Sequence, residues 1–272
     1  MPNLEEHKAR YVTIAAIALA TVDGQMESNY LRAAAMARCA AVSRPDIILL
    51  PEAFAAGYCA HNLTPFAEAS DSPYQRMMAM VSQELDCMIV YGWLQASRRG
   101  VRNVATAVDR GQVLSVHAKT SLWPDDQRPW RDERVLMDPG EGVSVIPTRF
   151  GLIATLICYE NMLPANWNAL VGRVDLVLSL YNCEDDPTRH NVRAANRLKI
   201  PSAWANRTGT VFLGDGRFGH NPGTAGVVNA SGEIVAVSTP GVEYIMTGEL
   251  NLEPTSTVSV ERVSSLGYGM LR

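Results

Sequence analysis

Short apolar runs alternate along the chain with longer stretches of mixed polarity, and the two kinds of segment predict different elements. The apolar runs have the character of buried strands and lie at residues 11–20, 46–50, 88–93, 103–108, 113–118, 143–146, 152–157, 175–180, 202–205, 225–228, 233–237 and 243–250. The longer stretches have helical character and lie at residues 30–41, 74–85 and 188–199. Turn residues at 109–111, 150–151 and 231–232 separate pairs of strands, as in hairpins. The chain is therefore predicted to be an α/β protein.

Hairpins and helical crossovers both occur, so the sheets are expected to be mixed, with helices covering one face of each sheet. No repeat, low-complexity segment or linker divides the sequence, and we predict a single domain over residues 1–272. Residues 120–142 form the one long stretch without periodicity. Loops of that length inside a compact domain are usually functional or disordered, and two tryptophans and three prolines favour an ordered loop here.

Charge and hydropathy exclude several classes of partner. The chain carries 24 basic and 28 acidic residues, for a net charge of −4, and has no basic block, so nucleic acid is not an expected partner. No apolar run approaches the roughly 18 residues that span a bilayer, so no membrane association is expected. The acidic pair Glu5 and Glu6 ahead of the first apolar run argues against a signal peptide. We therefore expect a cytoplasmic protein.

The cysteines are odd in number and scattered, and no CxxC pair is present. This distribution favours free thiols in a reducing compartment over a disulfide framework or a zinc site, and no metal site is predicted. The five cysteines are Cys39, Cys59, Cys87, Cys158 and Cys183.

Three predicted strands end in a reactive side chain: Glu52 after IILLP, Lys119 after VLSVHA and Cys158 after LIATLI. Ligands collect at the carboxyl ends of strands in α/β sheets, which makes the three residues candidates for one constellation. Taken singly, such a cysteine is more often a packed core residue, and such a glutamate or lysine is more often the first solvated residue of a loop. Together they supply what thiol chemistry needs, because a thiol requires a base to ionise it and a cation to stabilise negative charge.

The segments around these residues resemble the nitrilase superfamily of carbon–nitrogen hydrolases. The resemblance rests on LLPEAFAAGY around Glu52, HAKTSLWP around Lys119 and LICYENMLP around Cys158, in that order and each with an apolar strand before the reactive residue. WANRTG at residues 204–209 and a strand-turn-strand pattern at residues 224–236 extend it over nearly the whole chain. The amidase-like and carbamoylase-like branch is the expected place of this chain in the superfamily.

The resemblance implies a four-layer αββα sandwich with mixed sheets, and a homodimer or larger homo-oligomer that associates through its helices. It also implies a second glutamate between the lysine and the cysteine. Glu133 is the best match to the carbamoylase-like pattern because it precedes a Pro-Gly pair by six residues, and Asp132 and Glu141 are the alternatives. An ordinary solvated loop carboxylate is the other interpretation of Glu133.

The same resemblance, with the chemistry of the side chains, assigns a role to each residue. Cys158 is predicted to be the nucleophile, Glu52 the general base and Lys119 the oxyanion stabiliser. Glu133 would orient the substrate or the lysine, and the backbone N–H of Tyr159 would also bind the oxyanion. No cofactor is required by this chemistry.

Further residues are predicted near the substrate. Those predicted for the pocket are Tyr58, Trp123 and Asn182, with Trp130 as a further apolar candidate. The arginines that would suit a substrate carboxylate, or are simply exposed, are Arg128, Arg131 and Arg189.

The substrate is less constrained than the family. Amidase-like members carry an arginine four residues after the cysteine and a glutamate seven after it, where this chain has Met162 and Ala165. Nitrilases carry a tryptophan directly after the cysteine, where this chain has Tyr159. We predict a thiol-dependent hydrolase of a small-molecule, non-peptide carbon–nitrogen bond, an amidase or N-carbamoyl amidase that releases ammonia through a thioester. The alternatives are a nitrilase, an acyltransferase and a non-catalytic binding protein on the same fold.

Overall fold

The structure is a computed structural model and describes residues 10–58, 62–98, 100–127, 131–212 and 216–252. The strands within these ranges are β1 (Arg10–Ala20), β2 (Ile47–Leu49), β3 (Met88–Ala96), β4 (Val101–Asp109), β5 (Gln112–Ala118), β6 (Val145–Thr148), β7 (Gly151–Ile157), β8 (Leu176–Tyr181), β9 (Ser202–Phe212), β10 (Phe218–Pro222), β11 (Ala225–Val228), β12 (Ile234–Val237) and β13 (Tyr244–Leu252). The helices are α1 (Met26–Ala40), α2 (Pro73–Glu84), α3 (Glu133–Leu136), α4 (Tyr159–Met162), α5 (Pro164–Asn168) and α6 (Thr188–Leu198).

Two mixed sheets carry these elements. In the first, β5, β4, β3, β2 and β1 lie side by side, and β13 pairs with the other edge of β1. In the second, β6, β7, β8, β9, β11 and β12 lie side by side. Parallel pairing joins β1 to β2 and β2 to β3, and likewise β7 to β8 and β8 to β9, while the outer pairs are antiparallel. The mixed sheets predicted from the sequence are confirmed.

The two sheets pack face to face with helices outside them. Ile14 and Ala16 of β1 lie in the core between the sheets, together with side chains of β7, β8, β9 and β11. Ile17 and Leu19 point to the opposite face, as alternation along a strand requires, and pack against α1 and α2. On the outer face of β7 and β8, Trp167 of α5 is buried in a further cluster that α6 borders. This order of helix, sheet, sheet and helix is the predicted four-layer αββα sandwich.

The second half of β9 differs from the sequence prediction. The apolar pattern predicts a strand over residues 202–205, but β9 continues to Phe212 through a polar segment that includes a glycine. The segment is extended because it pairs with β10, which was not predicted, and because Arg207 and Thr208 pair with the end of β1. Pairing with distant strands leaves no periodicity in the segment itself.

Some predictions are not tested by these coordinates. Trp130, Arg128 and Cys59 lie outside the described residues. Among the described residues, no helix has the length and apolar character needed to cross a membrane. The single domain over residues 1–272 and the cytoplasmic location stay predictions.

Candidate active site

The three reactive strand ends meet at one end of the sheets. Glu52 follows β2, Lys119 follows β5 and Cys158 follows β7, and all three side chains are buried. Lys119 Nζ donates a hydrogen bond to Glu52 Oε1 at 2.9 Å. The backbone N–H groups of Glu52 and Cys158 donate to the carbonyls of Tyr181 and Leu180, at 3.3 and 2.7 Å. The glutamate and the cysteine are therefore anchored on adjacent residues of β8.

The backbone is left-handed at or beside two of these residues. Cys158 has φ 45° and ψ −103°, and Ala53, directly after Glu52, has φ 42°. Such a conformation costs of order 1–3 kcal/mol in a residue with a side chain and persists where surrounding contacts fix it. At Cys158 the contacts are its N–H bond to Leu180 and the bond from the Asn161 N–H to its carbonyl, at 2.9 Å. The sharp turn from β7 into α4 thus holds the thiol at the end of the sheet.

Gly92 of β3 lies directly against the turn that carries Glu52. A Cβ at this position would lie 2.6 Å from Glu52 Cα and 2.8 Å from the nitrogen of Ala53. The Gly92 N–H also donates to the carbonyl of Pro51 at 3.1 Å. A glycine is required here because any side chain would push the backbone of the glutamate out of place.

Glu133 completes a buried ion cluster. It is the first residue of α3, and its Oε1 accepts from Lys119 Nζ at 2.8 Å. Asp132, one of the two alternatives, caps α3 by accepting from the N–H of Arg134 at 2.9 Å and pairs with the guanidinium of that residue. Glu141, the other alternative, is exposed. Of the three carboxylates, Glu133 is the one that the fold brings to the lysine.

Two neutral side chains complete the surroundings of the carboxylates. Asn103 Nδ2 donates to Glu52 Oε1 at 2.6 Å and to the Tyr58 hydroxyl at 2.9 Å. The Tyr58 hydroxyl lies 2.9 Å from Glu52 Oε1 and 2.5 Å from Glu133 Oε1, and its single proton belongs on the shorter bond. Glu52 Oε2 is buried and has no hydrogen-bond partner among the described residues. That oxygen is free to accept a proton.

Burial and charge shift the pKa values in the cluster. Burial raises the pKa of Glu52, Lys119 lowers it and Glu133 raises it, and the net shift is upward. Burial alone would lower the pKa of Lys119, but the two carboxylates raise it, so the lysine stays a cation. A hydrogen bond with Cys183, burial and the charge of Glu52 raise the pKa of Cys158 well above its usual value, although Lys119 lowers it. Cys158 is therefore a neutral thiol at rest, and ionising it would require a base.

A third buried carboxylate, Glu160, ties the end of β5 to the turn at Cys158. Its Oε1 accepts from the N–H and the hydroxyl of Thr120, both at 2.7 Å. Its Oε2 accepts from the N–H of Ile157 at 2.7 Å and lies 3.0 Å from Nε2 of His117. Burial raises the pKa of Glu160, but His117 and the backbone donors bring it below its usual value. Because Thr120 and Ile157 adjoin the lysine and the cysteine in the chain, one carboxylate fixes the backbone beside both.

Of the residues predicted for the substrate pocket, Tyr58 belongs to the cluster and Trp123 lies against it. Trp123 is 40% exposed, and its ring meets that of Tyr159 edge-on with centroids 5.1 Å apart. The backbone N–H of Trp123 donates to Glu133 Oε2 at 2.6 Å. Asn182 follows β8, and its Oδ1 accepts from Asn221 Nδ2 at 2.8 Å. Contact of these residues with substrate, and binding of an oxyanion by the Tyr159 N–H, stay predictions.

The arginines considered for a substrate carboxylate are differently placed. Arg131 pairs with Glu184 at 2.9 Å, which links the loop of Glu133 to the segment after β8. Arg189 is exposed on α6. Within the described ranges, no three His, Cys, Asp or Glu residues are grouped so that they could hold a metal ion.

The sequence analysis missed four polar contributors to this site. They are Asn103, His117, Glu160 and Cys183. Asn103 and His117 carried a weak signal as polar residues inside largely apolar strands, and Glu160 carried one as an acid two positions after Cys158. Cys183 was counted among the cysteines but was not assigned to the site.

Comparison with known proteins identifies the family. The sequence model of the family described as Carbon-nitrogen hydrolase matches residues 13–258. The chain belongs to this family. The family and the enzyme class predicted from the sequence, a carbon–nitrogen hydrolase, are thereby confirmed.

Curated relatives of this carbon–nitrogen hydrolase are distant. An N-carbamoylputrescine amidase of Arabidopsis thaliana is 22% identical over 91% of this chain and 89% of its own length. An (R)-stereoselective amidase of a Pseudomonas species is 26% identical over 63% of this chain, and the match spans 60% of that relative. A glutamine-dependent NAD(+) synthetase of Thermotoga maritima is 24% identical over 87% of this chain, and the match spans 42% of that relative. The chain thus spans less than two thirds of the length of the last two.

Solved structures share the fold at low sequence identity. A carbon–nitrogen hydrolase from Helicobacter pylori G27 has a TM-score of 0.79 and 16% identity, covering 94% of this chain and 93% of its own. An amidase from Nesterenkonia sp. AN1 has a TM-score of 0.76 and 17% identity, covering 96% and 98%. In that structure a glutamate-to-glutamine variant carries a covalent acetamide moiety at the active-site cysteine. These similarities confirm the nitrilase-like sandwich.

Proposed function

We propose that this carbon–nitrogen hydrolase cleaves a carboxamide or an N-carbamoyl compound by way of a thioester on Cys158. The supporting observation is the buried cluster in which Lys119 joins Glu52 and Glu133, while Glu52 Oε2 has no partner among the described residues. The cluster separates two tasks, since the lysine carries fixed positive charge and the unpaired oxygen is available to move a proton.

Acylation begins when Glu52 accepts the proton of the Cys158 thiol. The sulfur attacks the substrate carbonyl carbon, and the Lys119 ammonium and the Tyr159 N–H bind the oxyanion of the tetrahedral intermediate. As the intermediate collapses, the carbon–nitrogen bond breaks and Glu52 passes its proton to the departing nitrogen. The acyl group remains on the sulfur as a thioester, and ammonia or an amine leaves.

Deacylation uses the same groups on water. Glu52 accepts a proton from a water molecule, whose oxygen attacks the thioester carbonyl while the lysine again binds the oxyanion. Collapse of this second intermediate breaks the carbon–sulfur bond, and Glu52 returns the proton to the sulfur. Glu133 takes no proton in this scheme and holds Lys119 in place.

The relatives favour amide chemistry over the alternatives. Two of them are named an (R)-stereoselective amidase and an N-carbamoylputrescine amidase, and both names describe cleavage of a carbon–nitrogen single bond. A nitrilase would use the same three residues on a triple bond. A binding protein would have no use for a thiol placed beside a base and a cation.

A substrate panel read out by ammonia release tests the proposal. The panel holds primary amides, N-carbamoyl amines and amino acids, and nitriles, and we expect turnover in the amide or carbamoyl class. Cys158→Ala and Cys158→Ser should be inactive with unchanged circular dichroism, while Cys39→Ser, which alters an exposed thiol on α1, serves as the matched control.

Each outcome of the panel decides between the alternatives. Ammonia from nitriles alone would assign a nitrilase. Release at the wild-type rate by Cys158→Ala would refute the mechanism. No turnover and no acyl adduct on the folded wild type, by mass spectrometry with every substrate, would support a binding protein.

A further inference from the structure

A second thiol lies beside the nucleophile. Cys183 follows β8 by two residues, is partly buried, and packs against the core cluster that contains Cys158. Cys158 follows β7, which pairs in parallel with β8 so that Ile157 lies opposite Leu180. The Cys183 Sγ donates to the carbonyl of Asp185 at 3.2 Å. No step of the proposed hydrolysis uses Cys183.

Both thiols are held at the same end of β8. The Asn206 side chain accepts from the Cys183 N–H at 3.1 Å through Oδ1, and its Nδ2 donates to the Cys183 carbonyl at 3.1 Å. The same Nδ2 lies 3.7 Å from the Cys183 Sγ. Cys158 is fixed by its N–H bond to Leu180, the residue three positions before Cys183. The two cysteines therefore lie just beyond the ends of neighbouring parallel strands.

Two other cysteines provide a contrast. Cys87 is buried in the core beneath α1 and α2, away from Glu52 and Lys119, and burial raises the pKa of its thiol to about 12. Cys39 is exposed on α1, outside the cluster. Cys158 differs from both because it lies beside a base and a cation, and these favour attack by its sulfur on an electrophile.

We propose that Cys158 and Cys183 form a reversible disulfide when a peroxide oxidises the nucleophile, with Cys183 as the resolving thiol. The inference rests on the proposed function only in taking Cys158 as the reactive thiol. In the first step the Cys158 sulfur attacks an oxygen of hydrogen peroxide, the O–O bond breaks, and the products are a sulfenic acid and one water. In the second, the Cys183 sulfur attacks the sulfenic sulfur, an S–S bond forms, and the hydroxyl leaves with the thiol proton as a second water.

The disulfide switches the enzyme off and protects it. Hydrolysis stops because the nucleophile is occupied, and a dithiol reductant restores both thiols as it is itself oxidised. Without a resolving thiol, the sulfenic acid is open to oxidation to the sulfinic acid, which ordinary thiols do not reduce. The sulfurs must approach to about 2.05 Å, and residues 184–186, which follow Cys183, are exposed.

Peptide mapping reads out this bond without relying on activity. Trypsin cleavage after Arg149, Arg173 and Arg189 places Cys158 in peptide 150–173 and Cys183 in peptide 174–189, each with no other cysteine. The folded full-length protein is treated with a molar excess of hydrogen peroxide, its free thiols are alkylated before and during denaturation, and the digest is examined without reductant. Activity before and after dithiothreitol is measured in parallel and normalised to each variant's own starting value.

We expect the wild type to yield a linked 150–173/174–189 peptide, to lose activity in step with it and to regain activity on reduction. Cys183→Ser and Cys183→Ala should give no linked peptide, should accumulate Cys158 with two added oxygen atoms, and should not recover. Cys39→Ser should behave as the wild type does.

Two results would overturn the proposal. The first is oxidation of Cys158 in the folded wild type to sulfenic or sulfinic acid with no linked peptide. The second is equal recovery by the wild type and both Cys183 variants. If no tested amide is turned over, the linked peptide still decides the redox inference, so its failure is distinct from failure of the proposed function.

Discussion

Two buried glutamates, Glu52 and Glu133, both bond to Lys119, but their carboxylate oxygens differ in how many hydrogen bonds they accept. The difference supports a proton-transfer role for one glutamate and a positioning role for the other. Glu133 uses both oxygens, Oε1 for Lys119 and Tyr58 and Oε2 for the N–H of Trp123. Glu52 uses Oε1 alone, and Oε2 has no partner among the described residues. Glu52 Oε2 can take a proton without disturbing any hydrogen bond, whereas both oxygens of Glu133 are already hydrogen-bonded.

Glu52→Gln is therefore expected to lower kcat/KM more than Glu133→Gln. In the proposed mechanism Glu52 accepts the thiol proton, protonates the leaving group and activates water, and general acid–base roles are each worth about 10²–10⁴ in rate. A glutamine exchanges no proton, although it keeps the size and some hydrogen bonds. At position 133 the amide still provides one acceptor oxygen, so part of the positioning survives. Steady-state kinetics of both variants on one substrate measure the difference.

An activated ester separates the two half-reactions in the same variants. Glu52→Gln that still forms an acyl-enzyme by mass spectrometry should fail to hydrolyse it. Lys119→Met is the comparison for charge, with an expected loss of about 10²–10³ for an oxyanion donor. Greater damage from Glu133→Gln than from Glu52→Gln would transfer the role of base to the loop carboxylate.

The acid side of the pH profile should lie above the ordinary glutamate range. Burial raises the pKa of Glu52 above 4.5, with Lys119 opposing and Glu133 adding to the shift. A base is active when ionised, so kcat/KM falls as the pH drops through this raised value. The profile of kcat/KM against pH measures it, with circular dichroism at each pH to show that the protein stays folded. An acid limb at or below 4.5 would contradict this assignment.

At the residue scale, the sequence predicts those site residues whose position is marked locally. Glu52, Lys119 and Cys158 each follow an apolar run, and a Pro-Gly pair marks Glu133. Asn103 could not be predicted, because its partner Glu52 lies 51 positions away and only the pairing of strands brings them together.

At the scale of elements, the site depends on a contact between the two sheets. β5 belongs to the first sheet and β7 to the second, and Glu160 bonds to the chain at the end of each. The hydroxyl of Thr120 and the ring of His117 complete its partners. Side-chain bonds at one buried carboxylate thus hold the lysine and the cysteine in register.

Glu160→Gln is expected to reduce both stability and turnover. A glutamine has one acceptor oxygen in place of two, so a buried donor such as the Ile157 N–H is left unpaired, at a cost of about 1–3 kcal/mol. The backbone beside Lys119 and the backbone beside Cys158 then lose the hydrogen bonds that tie them to one carboxylate. We therefore expect kcat to fall while KM changes little. Urea unfolding and steady-state kinetics measure the two effects.

The dependence of stability on pH identifies the charge of Glu160. Its pKa is lowered in the fold, so its contribution is present above the ordinary value of 4.5 and is lost as the pH falls through the lower folded value. The variant should lack this part of the acid dependence. Glu84→Gln, which breaks an exposed pair with Arg38, is the control and should change stability little. Unchanged kcat in Glu160→Gln would show that the tie is only structural.

Strands and helices were predictable from the sequence where their own side chains show the apolar pattern of a buried element. β1 and β7 are apolar runs that the core requires, whereas the second half of β9 is polar and is extended only because β10 and β1 pair with it. α3 is a helix of four residues set by the cap of Asp132, too short to show a helical period.

At the scale of the whole molecule, two packed sheets place the chain segments after β2, β5, β7 and β8 at one end. Alternating strands and helices predict mixed sheets, but nothing in the periodicity states that two sheets face each other. That expectation came from the resemblance alone, and the shared core of Ile14 in β1 with Trp204 in β9 confirms it. Local motifs mark Glu52, Lys119 and Cys158 in the sequence, but only this packing brings them to one end of the molecule.

The final expectation concerns assembly. The family resemblance implies a homodimer or larger homo-oligomer that associates through the helical layers, and both layers carry exposed apolar side chains. Leu31 of α1 is 56% exposed, and Val171, just after α5, is 49% exposed. Covering such side chains against a second copy removes apolar surface from water, which favours association.

Light scattering over a wide concentration range should give at least twice the 29.7 kDa mass of one chain. Leu31→Glu places a charge on the layer of α1, and Val171→Glu places a charge on the layer of α5. The variant whose layer forms the interface should shift the mass toward that of one chain, because burying an unpaired charge is costly. Ile234→Glu on β12, where the side chain is 43% exposed, is the matched control and should leave the mass unchanged. A wild-type mass of one chain at every concentration would refute the oligomer, and dissociation by Ile234→Glu alone would place the interface on the strands instead.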